Sequence, residues 1–176
     1  MQINVAQLLK QPIGSVRSYK IDDVVQLVEE ESADRRVQGE IELIRTDRGV
    51  LVRGTLESET SLVCSRCLAS FEYPLTFGIE EEFFPKINVL SGVSLPLPED
   101  STGFVIDEHH MLDLGEVLRQ HAVLAIPMKP LCHPECAGIC PGCGVNLNQG
   151  TCQCAPRSPK SAWTELEKLA LARKLK

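Results

Sequence analysis

With 176 residues and a hydrophobic fraction of 43%, the chain can bury a real core as one domain, or as one domain with a small appendage; aromatics are only 5%, so that core is expected to be mainly Val, Leu and Ile. The net charge of −6 is unevenly spread, with 12 basic against 21 acidic residues over 1–131 and six against three over 132–176, so any nucleic-acid contact is expected from the basic tail. Apolar stretches such as 122–128 fall far short of the roughly 20 residues that cross a bilayer, and residues 1–10 lack the regions of an export signal, which makes a cytoplasmic chain with no membrane partner the expectation.

Residues 5–10 read as a short helix, and a strand over about 16–21 is expected to complete a meander. Residues 24–31 fit either a short helix or an extension of the sheet edge. Val37, Gly39, Ile41 and Leu43 alternate with Gln38, Glu40 and Glu42, the period of two that marks a half-buried strand. Thr46-Asp47-Arg48-Gly49 then offers a turn, with an Asp to bond locally and a Gly to accept positive φ. The returning strand sets Val50, Val52, Gly54 and Leu56 against Leu51, Arg53, Thr55 and Glu57, and continues toward Cys64. After Cys67, Phe71, Tyr73, Leu75, Phe77 and Ile79 alternate with Glu72, Pro74, Thr76, Gly78 and Glu80. Pro74 cannot donate a ladder hydrogen bond, which predicts a sheet edge or a bulge there.

Periodicity dissolves over 86–103, a loop excursion kept extended by Pro96 and Pro98. Helical spacing returns near 114–126 at Leu114, Val117, Leu118, His121, Leu124 and Ala125, with Asp113 and Glu116 placed as a capping box and Pro127 and Pro130 as the stop. A final short helix is expected where Trp163, Leu166, Leu169 and Ala170 share a face and Lys168, Arg173, Lys174 and Lys176 load the end with positive charge. The fold class is therefore α+β: an antiparallel β-meander with a few helices over 1–131, followed over 132–176 by a cysteine-rich zinc-knuckle module and terminal helix.

Eight cysteines carry the chemistry. In a cytoplasmic chain thiols stay reduced, so their clustering favours metal over disulfides. A C-x-x-C pair lets both sulfurs face one ion from a single turn, and four thiolates complete a tetrahedral zinc site, so the eight predict two zincs. Cys140-Pro141-Gly142-Cys143-Gly144 is a knuckle pattern: Pro141 fixes one φ, Gly142 accepts tight geometry, and Gly144 lets amides approach the sulfurs. With Cys152 and Cys154 it can close a local site, although the C-x-C half is too short for the usual turn and the backbone must bend there. Cys64 and Cys67, at the tip joining two long strands, then group with Cys132 and Cys136 as the other site. A competing partition places Cys132, Cys136, Cys140 and Cys143 together and leaves Cys64 and Cys67 with Cys152 and Cys154; spacing leaves both open, and His133 is a further candidate ligand.

Closed four-thiolate sites leave no open position for water or substrate, which favours zinc as a staple over a metalloenzyme. Cys64-x-x-Cys67 could instead be a redox pair, but it lies between antiparallel strands and not at a strand-to-helix junction. His109 and His110 read as an exposed helix approach, His121 as a core or boundary residue, and Glu80-Glu81-Glu82 as a solvated strand end. No phosphate-cradling loop or nucleophile motif is visible, so neither a catalytic residue nor a small-molecule substrate is expected.

The hairpin-tip CSRCL of Cys64–Leu68, the acidic strand after it and the terminal PLCHPECAGICPGCGVNLNQGTC of Pro130–Cys152 together resemble the bacterial YceD family of large-ribosomal-RNA-subunit accumulation proteins. Some members of that family lack the CPGCG half, which implies that the set of Cys64, Cys67, Cys132 and Cys136 is the more general feature. The resemblance implies a non-enzymatic role in accumulation of 23S ribosomal RNA or assembly of the large ribosomal subunit. Its partner is then ribosomal RNA, met by Arg66, Arg157, Lys160, Lys168, Arg173 and Lys174 because phosphate binding needs cations, or a basic large-subunit ribosomal protein held by the acidic body. A thiol oxidoreductase is the enzyme-class alternative.

Overall fold

The computed structural model describes residues 1–27, 34–96 and 104–154. The chain divides into two compact units: one of Met1–Leu62 with Ser70–Pro130, the other of Val63–Ala69 with the chain from Leu131 onward. Its elements are β1 (Gln2–Asn4), α1 (Ala6–Leu9), β2 (Val16–Val25), β3 (Arg35–Arg45), β4 (Val50–Val63), β5 (Ser70–Pro85), β6 (Val105–Ile106), β7 (Met111–Asp113) and α2 (Gly115–Ala125), so the described chain is mostly sheet with few helices. The strands form one sheet in the order β1-β7-β6-β5-β4-β3-β2.

The meander β2-β3-β4 follows from the alternation. Tyr19 pairs with Ile41, and Ile41 pairs with Gly54, so the apolar phases share one face. Val37, Ile41, Leu43, Val52 and Leu56 on that face are all 0% exposed. In β5, Leu75, Phe77, Ile79 and Phe83 continue the face, and α2 packs on β5 with Val117, Leu118 and Ala122 buried. The 46–49 turn forms, but with different chemistry from that expected. Thr46, not Asp47, bonds locally: its Oγ1 accepts the Gly49 N–H at 2.8 Å and donates to Glu82 at 2.6 Å. Gly49 is not left-handed; glycine is needed because a Cβ there would strike the Phe83 carbonyl.

Pro74 sits in a strand that is interior in the sheet order. The partner on one side, β6, meets β5 only at Phe84 and Pro85 among the described residues, so that flank of β5 is open at Pro74 as an edge would be. β2 runs to Val25 and extends the sheet edge; the rest of the 24–31 alternative lies largely outside the described residues. One run of the excursion, 87–94, is ordered by local bonds: Ile87 bridges Ser94, and Asn88 Oδ1 accepts the N–H groups of Leu90 and Ser91 at 2.9 and 3.1 Å. β1, β6 and β7, of three, two and three residues, are too short to show a period, and their pairings, β1 on β7 and β6 parallel to β5, join distant segments.

The glutamates expected as a solvated strand end are more engaged than that. Glu82 is taken by Thr46, and Glu81, on the inward phase of β5, lies 3.1 Å from His121 Nε2, with both side chains partly covered. The capping box does not form. Leu114 is the N-cap, Asp113 Oδ1 accepts the Gly115 N–H at 2.9 Å, and Glu116 turns along the helix to Arg119 and Gln120 instead. Ile126, preceding Pro127, is extended and ends the helix as a pre-proline residue must.

Those bonds from Arg119, then Gln120, hold the Glu116 carboxyl down at about 2, against an ordinary 4.5. A carboxyl depressed by folding stabilises the native state above its unfolded value and ceases to do so as pH falls through its folded one. Glu116→Gln is therefore expected to lower the urea midpoint at pH 6 and to converge on wild type between about pH 4.5 and 2, with a small amplitude because the pair is exposed. No helix among the described residues is long and apolar enough to cross a membrane.

Candidate metal centre

The second unit holds all eight cysteines, and none is in a disulfide. Its two C-x-x-C turns are built alike. In the hairpin turn the Leu68 N–H donates to the Cys64 carbonyl at 3.0 Å and the Cys64 N–H to the Ala69 carbonyl at 2.9 Å. In the knuckle turn the Gly144 N–H donates to the Cys140 carbonyl at 2.9 Å and the Cys140 N–H to the Val145 carbonyl at 2.8 Å. The residue after each second cysteine is left-handed, Leu68 with φ +59° and Gly144 with φ +75°. Gly144 therefore serves the turn of the backbone; the amides that reach the Cys140 sulfur are those of Gly142, 3.3 Å from Sγ, and Cys143. Gly142 also leaves room, since a Cβ there would lie 3.3 Å from Cys154 Sγ.

The sulfurs fall into two groups, each with all members within 4.8 Å of one another: Cys64, Cys67, Cys132 and Cys136, and Cys140, Cys143, Cys152 and Cys154. In the hairpin group Cys64 Sγ lies 3.7 Å from Cys136 Sγ, and Cys67 Sγ 3.7 Å from Cys132 Sγ; in the knuckle group Cys140 and Cys152 are 3.3 Å apart. A tetrahedron with metal–sulfur bonds of about 2.3 Å has edges of about 3.8 Å, whereas a disulfide needs about 2.05 Å. Both donor sets thus fit a thiolate-preferring tetrahedral ion, and both can hold one.

The electrostatics point the same way. Backbone N–H groups, that of Cys67 first, draw the Cys64 thiol down to about 5, while burial and the neighbouring sulfurs push Cys132 up to about 12. Burial raises Cys136, but the Asn148 amide and the Gly138 N–H outweigh it and leave it lowered. In the knuckle group the N–H groups of Cys143 and Gly142 lower Cys140 to about 6, and the sulfurs of Cys143 and Cys140 raise Cys154 to about 12. Cys152 is raised: the Cys154 N–H draws it down, but the Cys140 sulfur and burial prevail. Each group thus pairs a thiol drawn toward thiolate, Cys64 or Cys140, with one held as thiol, Cys132 or Cys154, and a divalent cation bound to such a set would displace the retained proton.

The hairpin group is the more enclosed, with Cys64 0%, Cys136 3% and Cys67 6% exposed, whereas Cys143 and Cys154 are open to solvent. Around it, Arg66 Nη1 donates to the Cys136 carbonyl at 2.9 Å, and Gly138, left-handed at φ +77°, brings its backbone so near Arg66 that a Cβ would lie 3.2 Å from the Arg66 carbonyl. Arg66, a candidate phosphate contact, is thus tied to the site. His133 stands beside the hairpin group with Nδ1 3.1 Å from Cys132 Sγ. Arg157, Lys160, Lys168, Arg173, Lys174 and the expected terminal helix lie outside the described residues. Sequence reasoning missed Asn148, whose side chain bonds Cys136; its signal was an Asx turn, Asn146-Leu147-Asn148, inside the knuckle loop.

A family model described as Large ribosomal RNA subunit accumulation protein YceD matches residues 52–170, a stretch that encloses every cysteine. An uncharacterized protein of Mycobacterium tuberculosis H37Rv is 36% identical over 100 residues, covering 56% of this chain and 45% of that protein. One of Mycobacterium leprae is 29% identical over 99 residues, 56% of this chain and 43% of its own. A maize protein named Large ribosomal RNA subunit accumulation protein YCED homolog 1, chloroplastic, is 38% identical over 48 residues, 27% of this chain and 16% of that one. The chain thus spans less than half the length of these curated relatives. No solved structure matches it.

Proposed function

Because the chain belongs to the YceD family, we propose that it is a non-enzymatic, cytoplasmic factor supporting accumulation of 23S ribosomal RNA or assembly of the large ribosomal subunit, with two structural zincs. The match over 52–170 carries this reading. The ligands are Cys64, Cys67, Cys132 and Cys136 for one zinc, and Cys140, Cys143, Cys152 and Cys154 for the other. Zinc is the fitting ion because it takes four thiolates tetrahedrally without redox change. Four sulfurs fill such a coordination sphere, which leaves no place for a substrate and supports a binding role. The cysteine-rich module is a folding unit of its own around these ions, and the basic side chains from Arg157 to Lys174 meet ribosomal RNA.

A second reading, an adaptor for a basic ribosomal protein, is favoured by the outward face of the sheet, where Glu40, Glu57, Glu59, Glu72 and Glu80 are exposed. A salt series with the full chain separates the two. RNA binding predicts an affinity for 23S ribosomal RNA that falls several-fold between about 50 and 200 mM salt and weakens in Lys168→Glu with Arg173→Glu. Tight binding to a basic large-subunit protein with no salt-dependent RNA affinity would sink the RNA reading. A thiol oxidoreductase predicts turnover of a disulfide substrate by Cys64 and Cys67 that zinc abolishes; none is expected.

A further inference from the structure

Asn148 lies within the eight-residue loop between Cys143 and Cys152, so its place follows from the knuckle group. Its side chain nevertheless serves the hairpin group: Nδ2 donates to Cys136 Sγ at 3.3 Å. The carboxamide is held from several directions. Oδ1 accepts the Ala137 N–H at 2.8 Å, and Nδ2 also reaches Asn146 Oδ1 at 2.9 Å, an oxygen that in turn accepts the Asn148 N–H at 2.9 Å. The backbone follows the same path, with the Leu147 N–H on the Gly138 carbonyl at 2.9 Å and a bridge between Ile139 and Asn146. The loop that closes one sulfur group is thereby laid along the segment that carries a sulfur of the other.

We propose that Asn148 couples the two metal centres, by carrying the closed state of the knuckle loop to Cys136 as an N–H···S hydrogen bond. The inference rests on the reading that both groups bind zinc. An outer hydrogen bond to a ligand orients it and stabilises the charged form the metal needs, and its removal typically costs about 10–100-fold in metal affinity. A filled knuckle site holds the loop, and the loop holds the amide on Cys136. Linkage makes the effect reciprocal, so a filled hairpin site tightens the knuckle site by the same factor. Arg66 also grips Cys136, through its carbonyl, but from the hairpin's own turn, so that contact links nothing across the two sites.

The test measures both sites on the full chain, with Co2+ to resolve them by sulfur-to-cobalt absorption and Zn2+ affinities taken by chelator competition. Asn148→Asp keeps the oxygen that accepts the Ala137 N–H and removes the donor to sulfur; Asn148→Ala removes both without adding charge. Each is expected to weaken the hairpin site by about 10–100-fold and to shift its cobalt band. Cys143→Ser with Cys154→Ser should weaken the hairpin site similarly, and adding Asn148→Asp to that pair should change it by less than about threefold, since the coupled path is already broken. With Cys64→Ser and Cys67→Ser removing the hairpin site, Asn148→Asp should leave the knuckle affinity unchanged. An equal loss there would make Asn148 a plain loop stabiliser and overturn the coupling, as would an unaltered hairpin site in both Asn148 variants. Wild type that binds fewer than two ions would overturn the zinc reading beneath it.

Discussion

Cys64→Ser is expected to release the hairpin zinc and to unfold the segments which that ion ties together, 63–69 and 131–138, while the sheet unit keeps its structure. The reason is what the cysteine unit has for a core. Among its described residues the buried ones are Cys64, Cys67, Cys136, Gly138 and Cys140, with no buried Leu, Ile, Val or Phe. A unit without apolar burial must take its folding free energy from metal coordination, worth about 10–16 kcal/mol for structural zinc at neutral pH. That is as large as the ~5–15 kcal/mol by which a whole domain is usually stable. A serine hydroxyl does not supply the thiolate the ion requires. Zinc per chain should fall from two to one, the knuckle site should hold its ion more weakly, and amide signals from 131–138 should lose dispersion while those of β3, β4 and β5 keep theirs. Full zinc content in Cys64→Ser would show that Cys64 is not a ligand.

Phe83→Ala should act on the other unit and leave the metals in place. Phe83 is 0% exposed, its ring centroid lies 5.4 Å from that of Phe104, and its carbonyl is the atom that Gly49 must admit. Removing a buried phenyl ring typically costs about 3–5 kcal/mol, through lost transfer energy and the cavity left behind. The urea midpoint of the sheet should drop with an unchanged slope, and zinc content in the absence of urea should stay at two per chain. Loss of zinc in Phe83→Ala would mean that the two units do not fold separately. The two variants thus read the two units apart.

The long strands were legible because their side chains alternate over many residues. Val37 to Leu43, Val50 to Leu56 and Phe71 to Ile79 each carry the period of two, and each is a strand with the expected face buried. The 114–126 helix and its proline stop were equally plain, since both depend on residues within a turn or two of one another. Fine detail was less so. Thr46 took the turn bond assigned to Asp47, its neighbour in the same turn, and Glu116 turned to Arg119 and Gln120 one turn on along the helix instead of capping it. Asn148 carried only a turn signal, and nothing local to it says that its amide meets a sulfur 12 residues away.

By itself the sequence determined the repertoire: long alternating strands, a C-x-x-C turn at a hairpin tip, a CPGCG knuckle, and enough thiols for two closed tetrahedral sites. These are local properties, set by a two-residue side-chain period and by the geometry of four-residue turns. The tertiary structure decided which sulfurs stand together, since Cys64 meets Cys136 across 72 residues and Cys67 meets Cys132 across 65. It also decided that β1 closes on β7, with Gln2 bonding Asp113 across 111 residues, and that β6 runs parallel to β5. Contacts of that span depend on how the chain closes its long loops, over apolar faces in the sheet and around the sulfurs in the cysteine unit, and spacing along the sequence leaves more than one closure open.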